Sequence, residues 1–445
     1  MRPTYPEVEQ ALLGRWPETK LDPSLDRIRA LCQLLGDPQT NYPVIHLTGT
    51  NGKTSTARMI DALLRQLELR TGRFTSPHLQ SMTERISVDG EPLDEEAFVD
   101  AFADVAAYAQ IVDDSQEHPL SFFEVTVAMA YAAFADAPVD VAVVEVGMGG
   151  TWDATNVADG VVAVVLPVGI DHAAYLGDDI VGIAGEKAGI IKPGAQVVVA
   201  RQDPAVLDVF ARRAAEVGAT LAVEGVDFGV IEQFTAVGGQ QVGIQGIGAR
   251  YDDVFVPLHG AHQAQNAACA VAAVELFLGG KALPADVVVA AFGEVTSPGR
   301  LEIVRRSPTV LLDAAHNPHG VEAAIAAIQE NFNFAPLIGV VAVMADKDVE
   351  RILELLDPVL AQIVCTENSA PRSMRATELA DVADGIFGSD RVIVAPRLPD
   401  AIERAISLAE TSEGFEEAIG SGGVLVTGSV VTVGEARLLL GGEPE

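Results

Sequence analysis

Cysteine is scarce in this 445-residue chain: three thiols, Cys32, Cys269 and Cys365, odd in number and far apart. That spacing excludes a disulfide framework and fits no zinc-ligand pattern, so a reducing compartment is expected. Positive charge is also in short supply, with 29 Lys and Arg against 63 Asp and Glu, for a formal net charge of -34. Such a field repels nucleic acid and anionic membranes, and no basic cluster offsets it. Any anionic substrate must then be gripped by a few local cations, backbone amides or metal ions. No apolar run approaches the ~18 residues of a membrane span. The opening "MRPTYPEVEQALLGRW" has no apolar core of the kind a secretory leader carries. The expectation is a cytoplasmic protein with no nucleic-acid or membrane partner. Internal repeats and low-complexity stretches are missing as well.

What is present is the composition of a packed globular protein, 49% hydrophobic and 21% charged. The length exceeds one ordinary core and predicts two or three domains. Short β-branched runs such as "PVIHLT", "VDVAVVEV", "VVAVVLP" and "AQVVVA" read as buried strands, alternating with helical "TSTARMIDALLRQL", "SFFEVTVAMAYAAFA" and "DPAVLDVFARRAAEVG". That alternation predicts an α/β sheet with right-handed crossovers. Residues 219–257, rich in Gly and Gln, read as an antiparallel β appendage. A linker is expected at Ser297-Pro298-Gly299. Beyond it "TVLLDAA", "LIGVVAVM", "AQIVCTE", "RVIVAP" and "GGVLVTG" predict a smaller Rossmann-like domain whose first strand is "TVLLDAA". The expected division is therefore 1–296 and 297–445.

Six stretches carry the chemistry. "HLTGTNGKTST" ends in Gly52-Lys53-Thr54, the close of a Walker A loop, but Leu47 stands where the leading glycine belongs. The context of strand, loop and helix is right for cradling phosphate, with Lys53 as the cation and Thr54 or Ser55 as a hydroxyl for Mg²⁺. An ordinary glycine-rich turn with a solvated lysine is the competing reading. Glu145 ends an otherwise apolar strand in "VVEVGMGGTWDATN", where a carboxylate is costly unless paired or bound to a cation. It is either a metal ligand at the sheet's carboxyl edge or a cap on the turn. Asp171 and His172 follow the next strand, and His172 is equally a metal ligand or a structural histidine. Lys187 in "GEKAGIIKPG" reads by itself as a surface lysine. Asp313 and His316 in "LLDAAHNPHG", with Arg300 in "SPGR", are placed to face a cleft between domains.

In series, "SLDRIRALCQLLG", "HLTGTNGKTST", "TSPHLQSMTERI", "SFFEVT", "EVGMGGTWDATN", "DHAAYLG", "EKAGIIKPG", "HQAQNA", "SPGRLEIV", "DAAHNPHG", "MADKD" and "VTGSVVTVGEAR" resemble the ATP-dependent Mur ligase superfamily. They most closely resemble its folylpolyglutamate synthase and dihydrofolate synthase branch. The Gly-Lys-Thr of the loop, where many folate enzymes carry Gly-Lys-Gly, is shared with the cell-wall ligases. The fold the resemblance implies is α/β, with a Mur-ligase-type P-loop ATPase domain and a smaller Rossmann-like C-terminal domain. It implies ATP held by Thr50, Asn51, Gly52, Lys53, Thr54 and Ser55, with Asn266, Arg300 and Asp313 on the nucleotide. Mg²⁺ is implied at Ser76, Glu145 and His172. Lys187 is implied to be carbamylated, helping to hold a second Mg²⁺, with a monovalent cation as a further cofactor. Lys53, Lys187 and His316 are the implied catalytic residues. The pterin-bearing substrate is implied at Leu21, Asp22 and Pro23, at Ser121, Phe122, Phe123 and Glu124, and at Trp152, Asp153 and Ala154.

The implied reaction activates a carboxylate of folate or dihydropteroate as an acyl phosphate, which the amino group of L-glutamate then attacks. The implied protein is a monomer. A cell-wall precursor ligase shares the acyl-phosphate step, but its UDP-binding N-terminal domain has no room before a loop that begins by residue 48. A catalytically dead ATP-binding scaffold would have no reason to keep Ser76, Glu145, His172 and Lys187.

Overall fold

The computed structural model describes residues 2–17, 23–411 and 421–442. The chain is α/β and forms two units. The first carries β1 (Val44–Thr48), β2 (Thr71–Phe74), β3 (Ile86–Val88), β4 (Glu91–Pro92), β5 (Val141–Glu145), β6 (Gly160–Val165), β7 (Gln196–Val199) and β8 (Thr220–Val223). They make one sheet in the order β4-β3-β2-β5-β1-β6-β7-β8. The run from β2 to β8 is parallel, and the β3–β4 hairpin is added antiparallel at one edge. Helices cover both faces, which is why β1 and β5 are buried along their whole length and are mostly apolar. On one face Ile45 and Leu47 pack against helices Lys53–Gln66 and Ala261–Phe277; on the other Val44, Ala142 and Val144 pack against helix Phe122–Asp136. His46 on β1 is buried with its Nε2 2.9 Å from Thr155 Oγ1.

The expected appendage is there but starts later. β9 (Gly229–Ala236), β10 (Gly239–Gln245) and β11 (Arg250–Val256) form a three-stranded antiparallel sheet. Thr220–Val223 belongs instead to the main sheet, pairing parallel with β7.

The second unit holds β12 (Glu302–Arg306), β13 (Thr309–Asp313), β14 (Phe334–Val341), β15 (Gln362–Cys365), β16 (Val392–Val394) and β17 (Ser421–Thr427), in the order β12-β13-β17-β14-β15-β16. "TVLLDAA" is thus its second strand. β12 precedes it as an antiparallel edge, half exposed and carrying Glu302, Arg305 and Arg306, so its pattern is not that of a buried strand. Among the described residues no helix is long and apolar enough to cross a membrane.

The strand order places the site. In open α/β sheets ligands bind beyond the carboxyl ends of the strands. The loops after the neighbouring strands β2, β5, β1 and β6 carry Ser76, Gly147, Gly49 to Lys53, and Asp171 with His172. In the second sheet the loops after the neighbours β13, β17 and β14 carry His316, Ser429 and Lys347. The two carboxyl edges meet across a cleft lined by residues of both units.

Candidate active site

Two cavities occupy that cleft. The first, of ≈ 340 Å³, is lined by Thr50 to Ser55, Ser76, Glu145, His172, Lys187, Asn266, Arg300, Asp313 and His316. All the nucleotide, metal and catalytic residues expected from the sequence are therefore gathered in one place. The second, of ≈ 320 Å³, is lined by Pro23, Ser121, Phe123, Glu124, Trp152, Asp153 and Ala154 among others. Phe122 is not among them; it lies buried, with the Arg85 guanidinium 4.6 Å from its ring centre. Leu21 and Asp22 fall outside the described residues. The cavities share Ser76, Pro77, Gly147, Met148, His172, His316 and Val430 as common lining.

The loop after β1 is held open by its neighbours. The Thr50 amide donates to Pro167 O at 2.9 Å, and the Thr50 hydroxyl donates to Gly169 O at 2.9 Å. Gly52 caps helix Lys53–Gln66 at φ +86°, and a Cβ there would stand 2.7 Å from Asn266 Oδ1. Lys53 Nζ curls back on its own loop, donating to Gly49 O at 3.2 Å and Thr50 O at 3.4 Å. Of the two candidate hydroxyls, Thr54 donates to Glu145 at 3.0 and 3.2 Å. Ser55 is instead 2.9 Å from Ser297 Oγ. Thr54 is thus the hydroxyl beside the expected metal site.

Glu145, 2% exposed, is pushed up in pKa by burial, against the opposing pull of Lys53 and of hydrogen bonds from Thr54 and the Ser76 backbone. Among the described residues no three His, Cys, Asp or Glu side chains gather as a metal cluster. The Ser76, Glu145 and His172 set instead brings a buried carboxylate and a hydroxyl to one cavity wall, hard oxygen donors of the kind Mg²⁺ takes. His172 is lowered to about 4 by burial, so its ring is neutral and available as a ligand at neutral pH.

Lys187 is buried, not on the surface. It ends helix Ile180–Lys187, its Nζ donates to Gly49 O at 3.0 Å, and burial with the nearby Lys53 charge lowers it to about 7. Burial lowers Arg300 and raises Asp313, while each charge opposes the shift of the other. Both Asp313 oxygens accept backbone amides, from Leu301 at 3.0 Å and Ala315 at 2.9 Å.

In the second cavity several expected residues also build the walls. Ser121 and Glu124 form a reciprocal capping box on helix Phe122–Asp136, and Glu124 pairs with Arg27 Nε at 3.1 Å. Asp153 accepts from the Met148 amide at 2.9 Å and the Thr155 amide at 3.0 Å, holding the turn after β5 in shape. Cations that the sequence did not flag also line this cavity: Arg27, Arg85, Lys347 and Arg372. Lys347 was the readable one, as one of only six lysines and part of "MADKD". Asp171 is a further buried charge at the sheet edge. Burial pushes it up, yet His316, His172 and Lys347 together hold it well below the ordinary carboxylate range.

The chain is similar to known proteins along almost its whole length. The signature described as Mur ligase middle domain matches residues 47–274, and that of the Mur ligase glutamate ligase domain matches 299–430. The chain is 49% identical to the dihydrofolate synthase/folylpolyglutamate synthase of Mycobacterium tuberculosis, over 99% of this chain and 94% of that one. It is 31% identical to the protein of the same description from Bacillus subtilis, over 93% and 94%. The Mycobacterium tuberculosis folylpolyglutamate synthase solved with ADP superposes with a TM-score of 0.96, at 49% identity over 99% of both chains. The Escherichia coli FolC solved with DHPP and ADP superposes at 0.84, with 28% identity over 98% of both.

Proposed function

The chain belongs to the Mur ligase family, in its folylpolyglutamate synthase/dihydrofolate synthase branch, and we propose that its two cavities divide one reaction between them. It is an ATP-dependent ligase that adds L-glutamate to folate. The loop cavity takes ATP and the second cavity takes the pterin-bearing acid, either a folate or dihydropteroate. The observation that carries this reading is the lining common to both: Ser76, His172 and His316 are the places where a terminal phosphoryl and an acceptor carboxylate would meet.

A carboxylate is a poor electrophile, and an amine does not displace oxide from it. Phosphoryl transfer from ATP converts that oxygen into a leaving group; the glutamate amine then forms the amide and releases phosphate. Lys53 lies over the loop where the β- and γ-phosphates are taken to sit, and the backbone amides of residues 50–53 with the helix N-terminus share that charge. Ser76, Glu145 and His172 would hold Mg²⁺, with Thr54 beside them. Mg²⁺, when bound, spreads the charge of the transferred phosphoryl. Lys187, neutral in part near pH 7, is suited to carry a carbamate that would help to hold a second ion. Asn266, Arg300 and Asp313 orient the nucleotide, and His316 stands beside the transferred group. Enclosure between two units keeps water from the acyl phosphate. We read the protein as a monomer, as the resemblance implies, and three free buried cysteines support a cytoplasmic setting. The division between nucleotide unit and glutamate-ligase unit is placed at 296/297.

Turnover tests the reading. With ATP, Mg²⁺ and labelled L-glutamate, both dihydropteroate and tetrahydrofolate should yield labelled folates, and Lys53→Ala should lose kcat by orders of magnitude while folding normally. Label entering neither acceptor, or passing instead to a UDP-linked cell-wall precursor, would sink it.

A further inference from the structure

Asp171 is assigned nothing above, yet it is where the two units grip each other. It follows β6 at the carboxyl edge of the first sheet, and its side chain is only 7% exposed. Apart from its own neighbour His172, its charged and amide partners come from the second unit. Oδ1 accepts from Lys347 Nζ at 2.5 Å, Oδ2 accepts from Asn317 Nδ2 at 3.0 Å, and His316 Nε2 stands 3.5 Å from Oδ2. These partners come from two separate segments. Lys347 lies beyond β14, while His316 and Asn317 lie in the turn between β13 and helix Pro318–Asn331. One carboxylate thus fastens two loops of the opposite sheet edge.

The contact is passed on to the phosphate loop. Asn317 exchanges amide hydrogen bonds with Asn51 at 3.2 and 3.1 Å, and its Oδ1 caps helix Pro318–Asn331 by accepting from the Gly320 amide at 2.8 Å. His316 is held from both sides, with Nδ1 2.9 Å from Ala314 O and Nε2 toward Asp171. The Lys347 side chain is 9% exposed, so salt and water screen this pair little. Added hydrogen bonds on the carboxylate are what allow such a buried pair to offset its desolvation.

We propose that Asp171 is a positioning residue, a latch that ties Lys347, His316 and Asn317 to the unit carrying the phosphate loop and thereby sets His316 at the lining common to both cavities. The proposal rests on reading that lining as the transfer site. Wild-type turnover tests that reading, whereas the spacing of the units tests the latch without any turnover.

Spin labels at Asp208→Cys and Glu403→Cys, both exposed positions, report that spacing by double electron–electron resonance, since the native cysteines are buried. In the Asp171→Asn chain the distance distribution moves to longer or broader values. Its kcat falls about 100-fold, as for a reacting group displaced by about an ångström, while KM for ATP changes far less. Asp171→Glu, which keeps the charge, recovers part of the loss. Lys347→Met removes the cation and leaves Asn317 in place, so it reads the same latch from the other side should the Asp171 variant not fold. The double variant is no worse than the poorer single one. Unchanged distances in the single variants, whatever their kcat, or losses that multiply in the double variant, overturn the proposal.

Discussion

At the scale of single residues, burial decides the chemistry more than residue type does. Lys187 is an ordinary lysine in sequence, but in the folded chain only 4% of it is exposed. Taking an ammonium out of water disfavours its charge, and Lys53 nearby adds repulsion, which together lower it to about 7. Carbamate forms only on the neutral amine. With that pKa the neutral fraction climbs from about a tenth at pH 6 to about nine tenths at pH 8. At fixed dissolved CO₂, carbamate occupancy should therefore rise as pH rises through 7. A ¹³C carbamate resonance from ¹³C-bicarbonate should appear in the wild type and be missing in Lys187→Met; a resonance equally strong in both would place the modification elsewhere. Glu145, Lys53 and His316 were legible because each breaks an apolar strand or ends a recognisable turn. Asp171 and Arg27 were not, because their roles depend on what faces them from segments far away in sequence.

At the scale of elements, the turn from β1 into helix Lys53–Gln66 bears the largest share of the account. Gly52 is there because the backbone turns left-handed, at φ +86°, against the side chain of Asn266. Gly52→Ala adds backbone strain of about 1–2 kcal/mol and a Cβ that must displace Asn266 Oδ1 from 2.7 Å. Asn266 is itself held by Gln263 Oε1 at 3.0 Å, so the displacement is not free. The substitution should lower Tm by a few degrees and weaken ATP at least about 10-fold, equivalent to about 1.4 kcal/mol, as read by calorimetric titration. Wild-type nucleotide affinity in that variant would contradict the loop's assigned role. Strands buried on both faces announced themselves as continuous runs, and the helices between them by their periodicity. What escaped were short or edge elements. Thr220–Val223 has four residues beside a Gly- and Gln-rich segment, and Glu302–Arg306 is a half-exposed edge strand with three charged residues in five.

At the scale of the whole molecule, two α/β sheets present their carboxyl edges to each other, and the two cavities proposed for the substrates lie in the cleft that results. A chain of net charge -34 has no general attraction for ATP or a folate carboxylate. In the proposed reaction their meeting depends on local cations, among them Lys53 and Arg300 lining one cavity and Arg27, Arg85, Lys347 and Arg372 lining the other. The order of the motifs made this architecture readable, but not the fact that the cavities share Ser76, His172 and His316, which needs the packing of one unit on the other. The central claim is that the acceptor's carboxylate oxygen takes the phosphoryl group there and leaves with it. The most direct measurement uses an acceptor with ¹⁸O in that carboxylate and follows the released phosphate by mass spectrometry. The account predicts one ¹⁸O atom in phosphate for each amide formed; amide formation with unlabelled phosphate would contradict it.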